Sequence, residues 1–476
     1  MKKYNSKVFL TAALTILITL ISTTYALAGV MMQGFYWDIP SDGAWWNTMA
    51  SKAYALRYMV DGYGIDRIWF PPAYKGHTGL KSMGYDPHDY YDLGAYYQHS
   101  TTNTRFGSQK DLKTCIALYH SYGVSCMEDI VLNHRSGGDS EWNPYANVYT
   151  YTNFSNTASG MCQWDYNSFH PNGDCTRDED TFSGMPDICY QSGKAYNDMK
   201  TWLCWLMDSE NAGFDSWRFD FVKAYPSWVT RDMITATGGY GIGEYWDGSV
   251  SAVETWVTAT TNCAAFDFPL YYTMANICND TSGGGYLPNV FDRIKSYAAK
   301  APDHAVTFAA NHDLDTITND KMLAYAFILT YQGYPCIFWK DYFTYGLASG
   351  GGAGTAGWGN GIKQLVWCRE KLGGGAPNIE ILKSDDGDYI IYGSIGTSSS
   401  SPGYIVIIND NAASWKKTTI KTGNSYLKGK ILKAYAWSST VNGQNYQPNN
   451  QACDSNGYVQ VCAPPRGYAV FAPNGL

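Results

Sequence analysis

No dense run of lysine or arginine occurs anywhere in this 476-residue chain; charged residues make up only 16% of it, and the formal net charge is -8. That balance offers no electrostatic footprint for nucleic acid or another polyanion. A Ser/His/Asp triad, a Gly-rich phosphate loop and a dinucleotide fingerprint are also missing, which sets aside serine-nucleophile and nucleotide-dependent chemistry. Beyond the amino-terminal leader, no stretch is apolar enough to cross a bilayer.

The leader itself, "MKKYNSKVFLTAALTILITLISTTYALA", sets Lys2, Lys3 and Lys7 before an apolar run from Val8 to Ile21 and ends on Ala26 and Ala28. This is the pattern of a secretory signal peptide over residues 1–28. A membrane anchor would need about 20 apolar residues, more than this run supplies. The mature chain is therefore expected to be secreted and free of the membrane, where its 12 cysteines can oxidise. Cys453 and Cys462, flanking "DSNG", are the first local pairing expected, and Cys115 with Cys126 the second.

Hydrophobic residues form 45% of the chain, enough for a large core and more than one domain. Eight strand-like runs recur: "GVMMQGFYW", "IDRIWFPPAY", "GVSCMEDIVLNH", "GFDSWRFDF", "GIGEYW", "CAAFDFPLY", "AVTFAANHD" and "YPCIFW". Helical segments such as "SQKDLKTCIALYHSYG" and "AYNDMKTWLCWLMDSENAG" lie between them, each predicted to close on its glycine. Strands alternating with helices imply a parallel sheet, and eight of them a (β/α)8 TIM barrel over 29–134 and 191–372. The interval 135–190, rich in Asn, Asp, Gly, Ser and Tyr, is far longer than a βα loop and reads as an inserted subdomain over the barrel mouth. From 373 to 476 the pattern changes to short alternating runs, a C-terminal antiparallel β domain. The glycine-rich "LASGGGAGTAGWGNG" ahead of it reads as a loop.

In "GFDSWRFDFVKAY", Ser216, Arg218 and Asp220 share one strand face while Trp217, Phe219 and Phe221 share the other. The polar set should point into the barrel near the strand's carboxyl end, where barrel enzymes keep their active sites. A structural ion pair is the competing reading of Arg218 and Asp220. Three other strands end in the same way, with Asn133 and His134, with Glu244, and with His312 and Asp313. Paired carboxylates at a barrel mouth suit glycosidic bond cleavage, which needs one carboxylic acid and one carboxylate around an oxocarbenium-like transition state. Asp220 beside Arg218 is expected to be the ionised group, and Glu244, on an otherwise uncharged strand, the protonated one. Asp313 is left to hold the sugar in a distorted form. Aromatics at 16%, including 40 Tyr and 17 Trp, add flat faces for sugar stacking.

In the order "MGYDPHDYYDLG", "DIVLNH", "MPDI", "GFDSWRFDFVKAY", "GIGEYWD" and "FAANHD", these motifs resemble those of the α-amylases of glycoside hydrolase family 13, nearest the archaeal and plant-like branch. The resemblance implies that Asp220 is the nucleophile of a retaining double displacement, Glu244 the general acid/base and Asp313 the transition-state stabiliser. It implies that Tyr85 stacks on the sugar, His134 and His312 bind its hydroxyls, Arg218 steadies the nucleophile, and Lys223 meets the reducing-side units. It also implies calcium, held by Asn133, Asp178 and Asp187 with Asp180 and Ala224 giving backbone carbonyls, a hard-oxygen set suited to Ca2+. His170, Cys175 and Cys189 resemble a neighbouring zinc site, with a Cys175–Cys189 disulfide the open alternative. Two positions depart from the family pattern: Ala224 stands where His is common, and His88 where Tyr is usual.

The expected activity is endo-hydrolysis of α-1,4-glucosidic bonds in starch or glycogen by a monomer. Maltooligosaccharide-forming or transglycosylating action is the alternative within the family. A non-catalytic carbohydrate-binding protein is the alternative from another class, and the intact Asp220, Glu244 and Asp313 argue against it.

Overall fold

The computed structural model describes residues 29–175, 182–261, 263–282, 284–349, 361–439 and 447–476. The signal-peptide segment, Asp178, Asp180 and most of "LASGGGAGTAGWGNG" lie outside the described residues. Each of the eight runs yields one strand: β1 (Met31–Gln33), β2 (Arg67–Trp69), β3 (Ser125–Ile130), β4 (Ser216–Phe219), β5 (Tyr240–Gly243), β6 (Cys263–Phe266), β7 (Ala305–Phe308) and β8 (Tyr334–Phe338). Every strand pairs in parallel with the next, and β8 closes on β1, forming the barrel. Nearly all of these strand residues are buried, as a sheet wrapped by helices requires.

The helix Gln109–Ser121 starts at a capping box in which the Ser108 side chain accepts from the Asp111 N–H and the Asp111 carboxylate accepts from the Ser108 N–H. It ends just before Gly123, as predicted. The helix Gly193–Met207 stops well short of Gly213, contrary to the expected glycine stop. Gly213 instead turns the chain into β4, with φ 94°.

After β3 the chain builds the insert, where Asp139–Asn143 pairs antiparallel with Val148–Asn153. Isolated bridges join His134 to Asp187 and Phe169 to Ile188, so the insert's far end returns to the barrel rim. Arg135 is its buried anchor. The guanidinium lies 3.9 Å from the Phe154 ring centre and donates to the carbonyls of His88 and Cys162.

The C-terminal module is a six-stranded antiparallel sheet whose neighbours are, in order, Ile379–Lys383, Tyr389–Ile395, Gly403–Asn409, Gly467–Pro473, Ile431–Ser439 and Gln451–Ala452. Alternation divides its faces: Ile390, Tyr392 and Val406 join the barrel core, while Ile391, Ile405 and Ile407 form a second core. The pair Lys416–Lys421 and Tyr458–Ala463 supplies Ile420, Val459 and Val461 to that second core. Tyr404 Oη donates to the Thr330 carbonyl, which locks the sheet to the helix Lys321–Thr330 that leads into β8.

Both local disulfide expectations fail. Cys453 faces the second core, whereas Cys462 alternates outward with Tyr458 and Gln460, so the two thiols sit on different faces. Cys115 and Cys126 are buried free thiols between the helix Gln109–Ser121 and β3. Cys175 and Cys189 are joined as a disulfide within the insert.

Candidate active site

The alternation in β4 falls as expected. Trp217 turns outward, its Nε1 donating to Thr237 Oγ1 on the helix Ser227–Thr237, and Arg218 turns into the barrel. Arg218 then meets three carboxylates. Nη1 donates to Asp220 Oδ1 at 2.7 Å and to Asp129 Oδ1 at 2.8 Å, while Nη2 lies 2.7 Å from Glu244 Oε1. The guanidinium also rests 5.0 Å from the Trp69 ring centre. Sequence reasoning missed Asp129, which is fully buried and directly opposite Arg218 in the β3–β4 register. Its position two residues after Met127, on the inward face of "CMEDI", was the available signal.

Glu244 follows directly on β5, and Gly243 sets its position. A Cβ at Gly243 would come within 2.0 Å of the Trp256 ring, so only glycine lets the strand lie this close to the helix Val250–Thr260. Beyond Asp220, Phe221 takes a left-handed backbone with φ 46°. That turn aims its N–H at Glu244 Oε2, 3.0 Å away. A non-glycine residue in this region carries strain that the surrounding contacts must hold. Burial pushes the Glu244 carboxyl up to about 8, with Asp220 and Asp313 adding repulsion and Arg218 opposing it. Burial likewise raises Asp129, again opposed by Arg218.

Asp313 stands at the mouth with a third of its side chain exposed, 3.2 Å from His312 Nε2. Partial burial and the charge of Asp220 move it up to about 6 against the pull of Arg218. His312 is wired on both sides, since Gln33 Nε2 lies 2.8 Å from Nδ1 and Tyr85 Oη 2.9 Å from Nε2. Tyr85 Oη donates onward to Asp129 Oδ2 at 2.8 Å. This pattern assigns the imidazole proton to Nε2. Burial and Arg218 hold the ring neutral, far below the ordinary histidine range. Asp313, His312, Tyr85, Asp129 and Arg218 thus form one continuous chain of polar contacts.

Trp37, also missed from the sequence, lies beyond β1 and stacks over Tyr85 at 5.8 Å and 20° and over His312 at 6.2 Å and 18°. It is 48% exposed, so one broad apolar face of the site is open. His134 is buried, donates from Nε2 to the Tyr85 carbonyl at 2.9 Å, and lies flat against Phe182 at 4.7 Å. Lys223 sits at the rim, its Nζ 3.1 Å from Asp247 Oδ2.

Of the expected calcium ligands, Asn133, Asp187 and Ala224 are within the described residues, and all are buried. Among the described residues Asn133 Oδ1 has no hydrogen-bond partner, while Nδ2 donates to Asp187 Oδ1 at 3.3 Å. A buried, unmatched amide oxygen beside a carboxylate fits a hard cation such as Ca2+. His170 lies with Cys175 and Cys189, one donor atom from each falling within 4.8 Å of the others.

The profile described as "Alpha amylase, catalytic domain" matches residues 41–342. A glucan 1,4-alpha-maltohexaosidase from Bacillus sp. (strain 707) is 31% identical over 71% of this chain and 77% of its own length. An alpha-amylase from Bacillus licheniformis is 28% identical over 67% of this chain and 71% of its own. The crystal structure of an alpha-amylase from Geobacillus thermoleovorans, complexed with acarbose, shares the fold at a TM-score of 0.64. It is 15% identical, with 94% of this chain and 98% of that one covered. With a catalytic-domain match spanning most of the barrel and a carboxylate-lined mouth on that barrel, the chain belongs to the α-amylase family of glycoside hydrolases.

Proposed function

We propose that this is a secreted, endo-acting α-amylase, beside the archaeal and plant-like members of its family, that hydrolyses internal α-1,4-glucosidic bonds of starch or glycogen with retention. The observation that carries the reading is Arg218 bridging Asp220 and Glu244 through its two terminal nitrogens. Both carboxyls then border a single small volume, as a double displacement requires.

Asp220, held by Arg218 Nη1, attacks the anomeric carbon. Glu244, with its raised pKa, protonates the departing glycosidic oxygen and afterwards takes a proton from the incoming water. Asp313 and His312 grip the ring hydroxyls from the exposed side, favouring the flattened oxocarbenium-like geometry. Trp37 and Tyr85 offer aromatic faces to the sugar, and Lys223 reaches the reducing-side units. His134 serves the same sugar through its hydroxyls after leaving the Tyr85 carbonyl.

Asn133, Asp187 and Ala224, with Asp178 and Asp180, would hold Ca2+ where the insert meets the barrel. When bound, the ion supplies a structural cross-link and no part of the bond-breaking. The disulfide form of Cys175 and Cys189 leaves no thiolate for zinc, so we assign this pair the role of covalent tether beside His170.

Incubation with soluble starch tests the reading. α-Anomeric products of mixed length, released with a rapid fall in viscosity, are the expected result. β-Anomeric products would overturn retention, and unchanged polymer would overturn hydrolysis. The Bacillus sp. relative named a glucan 1,4-alpha-maltohexaosidase favours a second reading, in which one short maltooligosaccharide dominates from the start.

A further inference from the structure

We propose that His77, His88 and His99 form a transition-metal site of the zinc class, separate from both the catalytic mouth and the calcium ligands. The three lie on the long connection after β2, and one ring nitrogen from each falls within 4.8 Å of the others. Their rings crowd edge to face, His88 and His99 at 4.1 Å between centroids and His77 and His99 at 5.2 Å.

The surroundings build these rings into place. His88 is buried, with its carbonyl gripped by both Nε and Nη2 of Arg135 and its Nδ1 donating to the Ser136 carbonyl at 3.2 Å. That second contact leaves Nε2 with a lone pair, the arrangement in which a histidine donates its other N–H outward while it binds a metal. His99 Nε2 is buried and makes no hydrogen bond among the described residues. His99 and its neighbour Ser100 both adopt left-handed backbone, φ 50° and 63°, a strained tip with no glycine to relieve it. Lys75 holds that tip: its buried ammonium donates to the carbonyls of Tyr96, Thr101, Thr102 and Asn103. His77 lies against Gly137, where a Cβ would come within 2.0 Å of Nδ1, so the insert backbone hugs this ring only because that residue is glycine.

Three neutral imidazoles suit Zn2+ and its neighbours Co2+, Ni2+ and Cu2+ better than Ca2+ or Mg2+. Zn–N bonds of about 2.0–2.1 Å set ligand nitrogens roughly 3.3 Å apart, so closing the triangle needs a movement of about an ångström. His77, exposed at the edge, has the freedom for it and gives the ion its entry path. Water completes the tetrahedron. The ion would clip three points of one loop together beside Ser136 and Gly137, where the insert departs.

Zinc titration of the full mature chain, stripped of metals and refilled with Ca2+, tests this. Calorimetry should show one zinc site. His77→Ala should weaken it by at least about tenfold, a loss typical even for partners one layer outside the ligands, and His99→Gln should do the same. His170→Ala should leave it intact. Unchanged melting curves of the zinc-free variants show that the fold survives. Co2+ substitution should give a visible spectrum of nitrogen and oxygen ligands without a thiolate charge-transfer band. The proposal is overturned by absence of zinc binding, by a thiolate band, by wild-type affinity in His77→Ala and His99→Gln, or by equal loss in His170→Ala.

Discussion

Asp129 Oδ1 lies 2.8 Å from Arg218 Nη1 across two neighbouring barrel strands, with both side chains excluded from solvent. In the proposed mechanism Asp129 is thereby a positioning residue, acting through the arginine that contacts Asp220 and Glu244. Asp129→Ala should destabilise the protein by about 3–5 kcal/mol, since it strips one partner from a buried ion pair. Denaturant midpoints measure that loss. Asp129→Asn should also shift the alkaline limb of the activity profile to lower pH, because Arg218, relieved of one anion, draws more strongly on Glu244. A purely structural role would leave that limb in place.

Asp220→Asn and Glu244→Gln should each lower kcat by about 10²–10⁴-fold or more while leaving the melting temperature near that of the wild type. Both replacements keep the shape and an acceptor oxygen, so Arg218 and the Phe221 N–H retain contacts. Near-normal turnover in either variant refutes the assigned roles.

The pH profile follows from Glu244. Its pKa is raised, so the protonated acid persists through neutrality and is lost as pH climbs through about 8. Above that point kcat/KM should fall by about tenfold per unit. An alkaline limb near the ordinary range for an exposed glutamate would contradict the burial argument.

Trp37→Ala should raise KM for maltooligosaccharides several-fold and leave kcat nearly unchanged. The loss corresponds to roughly 0.5–1.5 kcal/mol of aromatic contact. Steady-state kinetics on a chain-length series separates this effect from damage to the carboxylates.

Chelation should lower the melting temperature, and added Ca2+ should restore it, by about 2.7 kcal/mol when calcium stands a hundredfold above its Kd. Asp187→Ala should remove the calcium response. An unchanged melting temperature after verified metal removal refutes the proposed cross-link.

The barrel was legible because its strands are short, dense in buried residues and end in chemistry-bearing side chains, so the eight runs and the eight strands coincide. Arg218 was legible only as the neighbour of Asp220, since spacing of two along a strand is local information. Its contacts to Asp129 and Glu244 depend on the register between strands, which no single run of sequence encodes. Trp37 was hidden among many aromatics, most of them packing. The cysteine guesses failed for a related reason: closeness along the chain says nothing of which face each thiol occupies, as Cys453 and Cys462 illustrate.

Sharing one guanidinium between Asp220 and Glu244 also means that, in the proposed double displacement, the interior need not tolerate a change in total charge. The first carboxylate would become neutral on esterification while the second gives up its proton and becomes the anion beside Nη2. The cation would pass from one counter-ion to the other without moving, so that half-reaction would run as an internal exchange, with no need for ions or bulk water to rearrange around a newly exposed charge.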